Sequence, residues 1–336
     1  MTKVTVNQAK AFLNSISKRD SVAVVHHDDL DGFASGSLFY SFVKNRGAKV
    51  KNFFGGYGMN VNKLVKKLDR FDKIILTDLA PSFIEQLAPV LKKKKVFYTD
   101  HHQAGKIPKN ILELRTTDQG YLPSSRTAFE LTELDEWKGV AGVMGDMGHK
   151  YPENDKFLKD FFKREKITLK KFLETAVFNL NKLILYHHRK PQVVFNILVR
   201  LKTYKDLYKF KKKTLVVERE IQKHLKAFRE HKEDLGKIKT YLFNSKYPVK
   251  STVSSVSAFK FPKSVVLIYV KKGKMVNISG RNQGGNINVR ELLQKCTEGF
   301  ENATAGGHDR ASGAKIMKKD FKEFKKRVRD YAKSLK

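Results

Sequence analysis

The sequence predicts an α/β protein in three parts: an N-terminal doubly wound, mostly parallel sheet (residues 1–150), a helical connector (151–245) and a smaller C-terminal α/β domain (246–336). Three observations carry this reading. Short β-rich runs alternate with helix-like segments through the first 150 residues, which is the pattern of βαβ units. From about Glu153 to Gly236 apolar residues recur at helical spacing in a lysine-rich background, as in Leu169, Phe172, Leu173, Ala176, Val177 and Leu180. After the turn-like Asn244-Ser245-Lys246-Tyr247-Pro248 the α/β alternation resumes.

In order, the N-terminal strands are expected at Val22–Val25, Val50–Phe54, Ile74–Thr77 and Val96–Thr99. Helical segments are expected between them at Ser35–Lys44, Val61–Leu68 and Phe83–Leu91. The C-terminal part is expected to hold strands at Val265–Val270 and Met275–Ser279, a helix at Val289–Cys296 and a basic helix from about Lys319. No internal repeat or low-complexity linker interrupts the series.

At 336 residues, 40% of them hydrophobic, the chain has room for two domains with their own cores and is not wholly disordered. Its one cysteine, Cys296, excludes a disulfide framework and a cysteine-based zinc site and fits a reducing cytosol. Nothing near Met1 resembles a signal peptide. Apolar runs such as Val265 to Val270 fall far short of the roughly 20 residues of a membrane span, so a soluble cytoplasmic protein is expected. Sixty-eight Lys+Arg against 34 Asp+Glu give a formal charge of +34, which favours a polyanionic partner, nucleic acid first. A lysine-rich composition alone would account for part of that excess. The runs Lys92 to Lys95 and Lys211 to Lys213 read as solvated faces or as a track for phosphates.

The chemistry gathers at strand ends, where ligands of open α/β sheets bind. The first strand runs into His26-His27-Asp28-Asp29-Leu30-Asp31-Gly32, and alternate residues of an extended segment, His27, Asp29 and Asp31, project to one side. A row of ionisable residues behind an apolar strand carries a desolvation cost unless paired or metal-bound. Asp78 follows Ile74-Ile75-Leu76-Thr77, Asp100-His101-His102 follows Val96-Phe97-Tyr98-Thr99, and Asp146 sits between Gly145 and Gly148. Carboxylates and imidazoles suit a hard divalent cation, Mn²⁺ or Mg²⁺. Near the other end, Ala305-Gly306-Gly307-His308-Asp309-Arg310-Ala311-Ser312-Gly313 and Arg281 could receive a phosphate. The glycines permit close backbone approach, and Arg281 offers bidentate hydrogen bonds.

Together these residues resemble the DHH phosphoesterase superfamily, most closely its RecJ-like and short-oligonucleotide nuclease branch of archaeal type. His27-Asp28-Asp29-Leu30-Asp31-Gly32 looks like the first motif, Asp78 the second, Asp100-His101-His102 the third and Gly145-Asp146 the fourth. The Gly-Gly-His segment looks like the motif of the DHH-associated C-terminal domain, and Arg281 like its phosphate-binding arginine. The resemblance implies two Mn²⁺ ions, with Mg²⁺ as the substitute. His27, Asp29 and Asp78 would hold one ion, Asp31, Asp78, His101 and Asp146 the other, and Asp78 would bridge. His102 would face the scissile phosphate, with Asp100 ordering the turn, while Arg281, Gly306, Gly307 and His308 would bind substrate. In some relatives the first histidine lies four residues before the first aspartate of its pair, where this chain has Val25, which leaves His26 and Asp28 as alternatives to His27.

The function so implied is a metal-dependent phosphodiesterase, an exonuclease acting on single-stranded RNA or DNA, with short oligonucleotides favoured by the length of the chain. A small-nucleotide phosphoesterase acting on a cyclic dinucleotide or a 3',5'-bisphosphate nucleotide is the alternative. A replication scaffold without catalysis ranks below both, because the acidic set is complete, although replication or repair partners are compatible with an enzyme.

Overall fold

The computed structural model describes residues 4–56, 59–102, 105–116 and 120–335. The chain forms two compact units, Met1–Lys212 and Lys213–Lys336.

The first unit carries strands β1 (Ser21–His26), β2 (Lys49–Phe54), β3 (Lys73–Thr77), β4 (Lys95–Asp100) and β5 (Ile111–Arg115). Its first helices are α1 (Val6–Asn14), α2 (Leu30–Asn45), α3 (Val61–Leu68), α4 (Pro81–Gln86), α5 (Ala88–Leu91), α6 (Ser124–Thr132) and α7 (Glu136–Gly145). The strands are all parallel in the order β2-β1-β3-β4-β5. β1 and β3 read as continuous apolar runs because a parallel sheet is covered on both faces. Val22, Val24, Ile75, Phe97 and Leu114 face a core shared with α1, α2 and α6, whereas Ala23, Val25, Ile74, Leu76 and Tyr98 face one shared with α3, α4 and α5. The chain leaves β1 for β2 on one side and crosses back to β3 on the other. The crevice of this doubly wound sheet therefore opens at the carboxyl ends of β1 and β3.

Helices α8 (Asp155–Glu165), α9 (Leu169–Phe172), α10 (Phe178–Tyr186) and α11 (Pro191–Arg200) pack Leu158, Phe161, Phe172, Leu180 and Phe195 against Phe33 of α2 and Trp137 and Met144 of α7. They are an added layer of the first unit, so the stretch read as one connector, 151–245, divides at Lys212. A shared apolar core of this size ties helices to the sheet domain more firmly than a linker would. Strand β5 is a further departure, because Ile111-Leu112-Glu113-Leu114-Arg115 hides a buried ion pair between Glu113 and Arg115 on one face of this edge strand.

The second unit begins in α12 (Lys211–His231) and holds β6 (Glu233–Asp234), β7 (Ile238–Leu242), α13 (Lys250–Lys260), β8 (Val265–Lys272), β9 (Met275–Arg281), α14 (Val289–Thr297), β10 (Thr304–His308), β11 (Ala311–Met317) and α15 (Phe321–Ser334). Its mixed sheet runs β10-β11-β9-β8-β7-β6, with β7 and β8 parallel and the other pairs antiparallel. Ile278, Leu267, Val276 and Ile316 face α14 and α15 in one core. On the opposite face Ser254 of α13 meets Ser279 of β9, their hydroxyls 2.9 Å apart. Strand β7 lies inside the stretch read as helical, where the buried Lys239, paired with Asp234, disguises it.

Candidate metal centre

The end of β1 separates its two histidines. His26 is fully buried among Phe33, Phe54 and Phe195, with ring centroids 5.7, 4.9 and 5.0 Å away, and its Nδ1 lies 2.7 Å from the His27 carbonyl. His27 turns the other way, placing Nδ1 2.9 Å from Asp29 Oδ2 and 3.9 Å from Asp78 Oδ2. Of the two alternatives, His26 belongs to the aromatic cluster, and Asp28, with Oδ1 3.7 Å from His27 Nε2, lies outside the donor sets around Asp78. Asp29 caps α2, accepting from the Gly32 amide at 3.0 Å, and a Cβ on Gly32 would stand 2.4 Å from the His27 carbonyl oxygen. Glycine is therefore needed to fold the His27-to-Asp31 turn this tightly. Asp31, in the first turn of α2, is buried and accepts from the amides of Ser124 and Ser125 at 2.8 and 3.0 Å, so the N-terminus of α6 fixes both of its oxygens.

Asp78 leaves β3 with φ 56° and is buried, and its Oδ2 has no hydrogen-bond partner among the described residues. His101 Nε2 lies 3.3 Å from Asp78 Oδ1, 3.4 Å from Asp146 Oδ2 and 4.0 Å from Asp31 Oδ2. Asp146 arrives at the C-terminus of α7, where Gly145 packs on Leu30 so closely that a Cβ would stand 2.7 Å from it. Its Oδ2 accepts from the Tyr121 hydroxyl at 2.6 Å. Asp100 stands in the same cluster with both oxygens engaged: Oδ1 is 2.7 Å from His102 Nδ1, and Oδ2 accepts from the His102 amide and the Tyr98 hydroxyl. Arg115 steadies the turn by donating to the His102 carbonyl at 3.4 Å.

The charges in this cluster are unbalanced. Burial lifts Asp78 far above the carboxylate range, and the charges of Asp29, Asp31, Asp100 and Asp146 push the same way. Burial raises Asp31 to about 6 against the pull of His101, and it raises Asp146 too, against His101 and Tyr121. Burial opposes a charged His27, but the Asp29 hydrogen bond and the Asp29, Asp28 and Asp31 carboxylates raise the imidazole to about 9. Asp29 in turn is held well below the carboxylate range by His27, although burial acts the other way. The hydrogen bond to Asp100 raises His102. Three compact donor sets result, Asp78/Asp100/His101/His102, His27/Asp29/Asp78 and Asp31/His101/Asp146; Asp78 belongs to the first two and lies 3.3 Å from His101 of the third. Oxygen and imidazole donors around an unpartnered carboxylate oxygen fit hard divalent cations.

Residues 21–154 match the DHH family, N-terminal domain, and residues 249–334 match the DHHA1 domain. The chain belongs to the DHH phosphoesterase superfamily. No curated protein sequence matches it. Among solved structures this DHH chain resembles RecJ from Thermus thermophilus in complex with Mn²⁺, at 17% identity and a TM-score of 0.75, over 98% of the present chain and 55% of that one. The present chain thus spans little more than half of the Thermus protein. It also resembles an exonuclease RecJ bound to manganese, at 16% identity and a TM-score of 0.72, covering 99% and 95% of the two chains. CDC45 from Entamoeba histolytica shares the fold at 9% identity and a TM-score of 0.61, with 98% of each chain covered. At these identities the likeness is one of fold.

The remaining expected residues of the DHH chain lie in its second unit. Arg281 donates from Nε to the Ser255 hydroxyl and from NH1 to the Gly280 carbonyl, and burial lowers its pKa. Gly306, Gly307 and His308 form part of β10, an exposed strand at the sheet edge paired with β11. Gly307 has φ +130°, and a Cβ there would stand 2.6 Å from the Ala311 carbonyl oxygen. Sequence reasoning gave no role to Lys250, whose Nζ donates to the Ile278 carbonyl at 3.1 Å and whose pKa burial and Arg281 lower to about 8. It also missed the supporting residues of the first unit. Tyr98 stands two residues before Asp100 on the same strand face, a signal the sequence offered. Tyr121, by contrast, is brought to Asp146 only by the tertiary fold.

Proposed function

We propose that this DHH protein is a divalent-metal-dependent phosphodiesterase that hydrolyses single-stranded nucleic acid, with short oligonucleotides as its main substrates. The observation that carries the reading is the gathering of three donor sets around Asp78, a buried carboxylate with an unpartnered oxygen. His27, Asp29 and Asp78 would hold one Mn²⁺ or Mg²⁺, and Asp31, Asp78, His101 and Asp146 the other. Two such cations supply a water acidified for attack and charge neutralisation for an in-line displacement at phosphorus.

The chain's own residues do the rest. Ser124 and Ser125 fix Asp31, and Tyr121 fixes Asp146, so ligand geometry is set before substrate arrives. Asp100 holds His102 by Nδ1 and favours its charged form, which presents Nε2 to donate a proton toward the leaving oxygen. In the second unit Arg281, Gly306, Gly307 and His308 would bind a substrate phosphate, with Lys250 adding a cation. The net charge of +34 favours an oligonucleotide over a single small nucleotide.

The deciding experiment is a Mn²⁺-dependent assay on end-labelled RNA and DNA oligomers of graded length, run beside a cyclic dinucleotide and a 3',5'-bisphosphate adenosine. Metal-dependent shortening of two- to five-nucleotide oligomers is expected. Turnover of the small substrates alone would replace the nuclease reading, and no metal-dependent turnover of any substrate would overturn the enzyme.

A further inference from the structure

Two tyrosines rise from the metal centre in a stack. Tyr121 meets His101 edge-on, ring centroids 5.2 Å apart, while its hydroxyl binds Asp146. Tyr151 then lies on Tyr121 with centroids 4.3 Å apart and an interplanar angle of 18°. Among the described residues neither ring belongs to an apolar core, and Tyr151 is 41% exposed. Its neighbour Met147 is 40% exposed and adopts a left-handed backbone, φ 62°. Tyr151 thus stacks on a residue that touches two members of the metal cluster while 41% of its own surface stays open to solvent.

The platform is built in advance. Asn154, fully buried, donates from one side-chain nitrogen to the Tyr121 carbonyl at 2.8 Å and to the Gly148 carbonyl at 3.0 Å. The loop around Tyr151 is thereby tied to the loop that carries Tyr121. Two short helical turns, Gly148–Lys150 and Pro152–Asn154, flank Tyr151 and hold its backbone extended. A tyrosine fixed this way loses little rotamer freedom when a flat partner lands on it.

We infer that Tyr151, backed by Tyr121, is a stacking subsite for one unstacked nucleobase of the strand whose phosphate sits at the metal centre. The inference rests on the phosphodiesterase reading for its substrate and adds the group that is recognised. Every base has a π-face, so the subsite accepts any of them and reads single-strandedness instead of sequence. A paired base within a duplex stays stacked on its neighbours and is not offered to the ring. A substrate without a base gains nothing from the platform.

The test uses the full chain and pentanucleotides carrying 2-aminopurine at each position in turn, linked by methylene phosphonates that resist hydrolysis. One position is expected to be quenched on binding to the wild type and to Tyr151→Phe, and not to Tyr151→Ala. For the hydrolysable pentamer, Tyr151→Ala should raise KM about tenfold with kcat nearly unchanged, while the pentamer abasic at that position should be cleaved equally by wild type and variant. Equal quenching by Tyr151→Ala, absence of quenching at every position, or equal loss on intact and abasic pentamers would overturn the subsite. Failure of the wild type to cleave any oligomer would instead overturn the phosphodiesterase reading, with the quenching result still reporting on the platform.

Discussion

Asp78 combines two burdens at one residue: a left-handed backbone and a buried carboxyl group facing four other acids. Asp and Asn tolerate that backbone better than alanine does, so Asp78→Asn isolates the charge. The variant should lose Mn²⁺-dependent hydrolysis and yet, in EDTA at pH 7.5, melt above the wild type by several degrees, because it removes the cost of either burying the Asp78 charge or protonating the carboxylate well above its unfolded pKa. Differential scanning calorimetry of both proteins with and without Mn²⁺ checks this, and a lower melting temperature for the metal-free variant would contradict it. Protons tell the same story. His27, raised to about 9, and Asp31, raised to about 6, hold more protons in the metal-free fold than ordinary groups do. A raised pKa contributes stability that is complete below the unfolded value and lost as pH rises through the folded value. Metal competes for these same groups, so Mn²⁺ binding at pH 7.5 should release protons and tighten up to about pH 9. Calorimetric titration in buffers of different ionisation enthalpy measures that release, and a heat independent of buffer would contradict it.

At the scale of elements, the site is a junction of three helix ends with three strand ends. Gly142 of α7 sits where a Cβ would come within 2.3 Å of Ser125 Oγ and 2.9 Å of Asp31 Oδ1. Gly142→Ala should therefore cost about 1–3 kcal/mol of stability, the usual penalty for overpacking, and weaken metal binding by displacing Asp31. Gly306→Ala, whose Cβ would meet nothing within 4 Å, should leave the melting temperature unchanged. Urea unfolding of the two variants side by side reads the difference. The elements show where sequence is legible. β1, β3 and β4 end in His26-His27, Asp78 and Asp100-His101-His102, so apolar runs stopped by ionisable residues announce both strand and site. β5 is hidden because the Glu113–Arg115 pair is satisfied internally, which no hydrophobic pattern reveals. β10 and β11 are hidden because glycine has poor strand propensity, and only pairing across the sheet shows that Thr304–His308 is an edge. Helices α8 to α11 are legible as helices, but their attachment to α2 and α7 depends on which faces meet, and the sequence carries no direct mark of that.

For the whole molecule the excess of 34 positive charges becomes a prediction about salt. Binding of a single strand that neutralises Z phosphates weakens with salt with a log–log slope of about −0.7Z. A pentanucleotide engaging about three phosphates should thus lose about fourfold in affinity for each doubling of monovalent salt. A dinucleotide, with one phosphate to place at the centre, should lose less than about twofold over the same step. The contrast separates a basic surface that follows a strand from a basic composition with no ligand, because free lysines raise the net charge without adding phosphate contacts. Measuring KM for both substrates at fixed Mn²⁺ between about 50 and 200 mM salt gives the two slopes. Equal slopes would mean that only the local site binds, which would favour a small nucleotide as the substrate despite the charge of the chain.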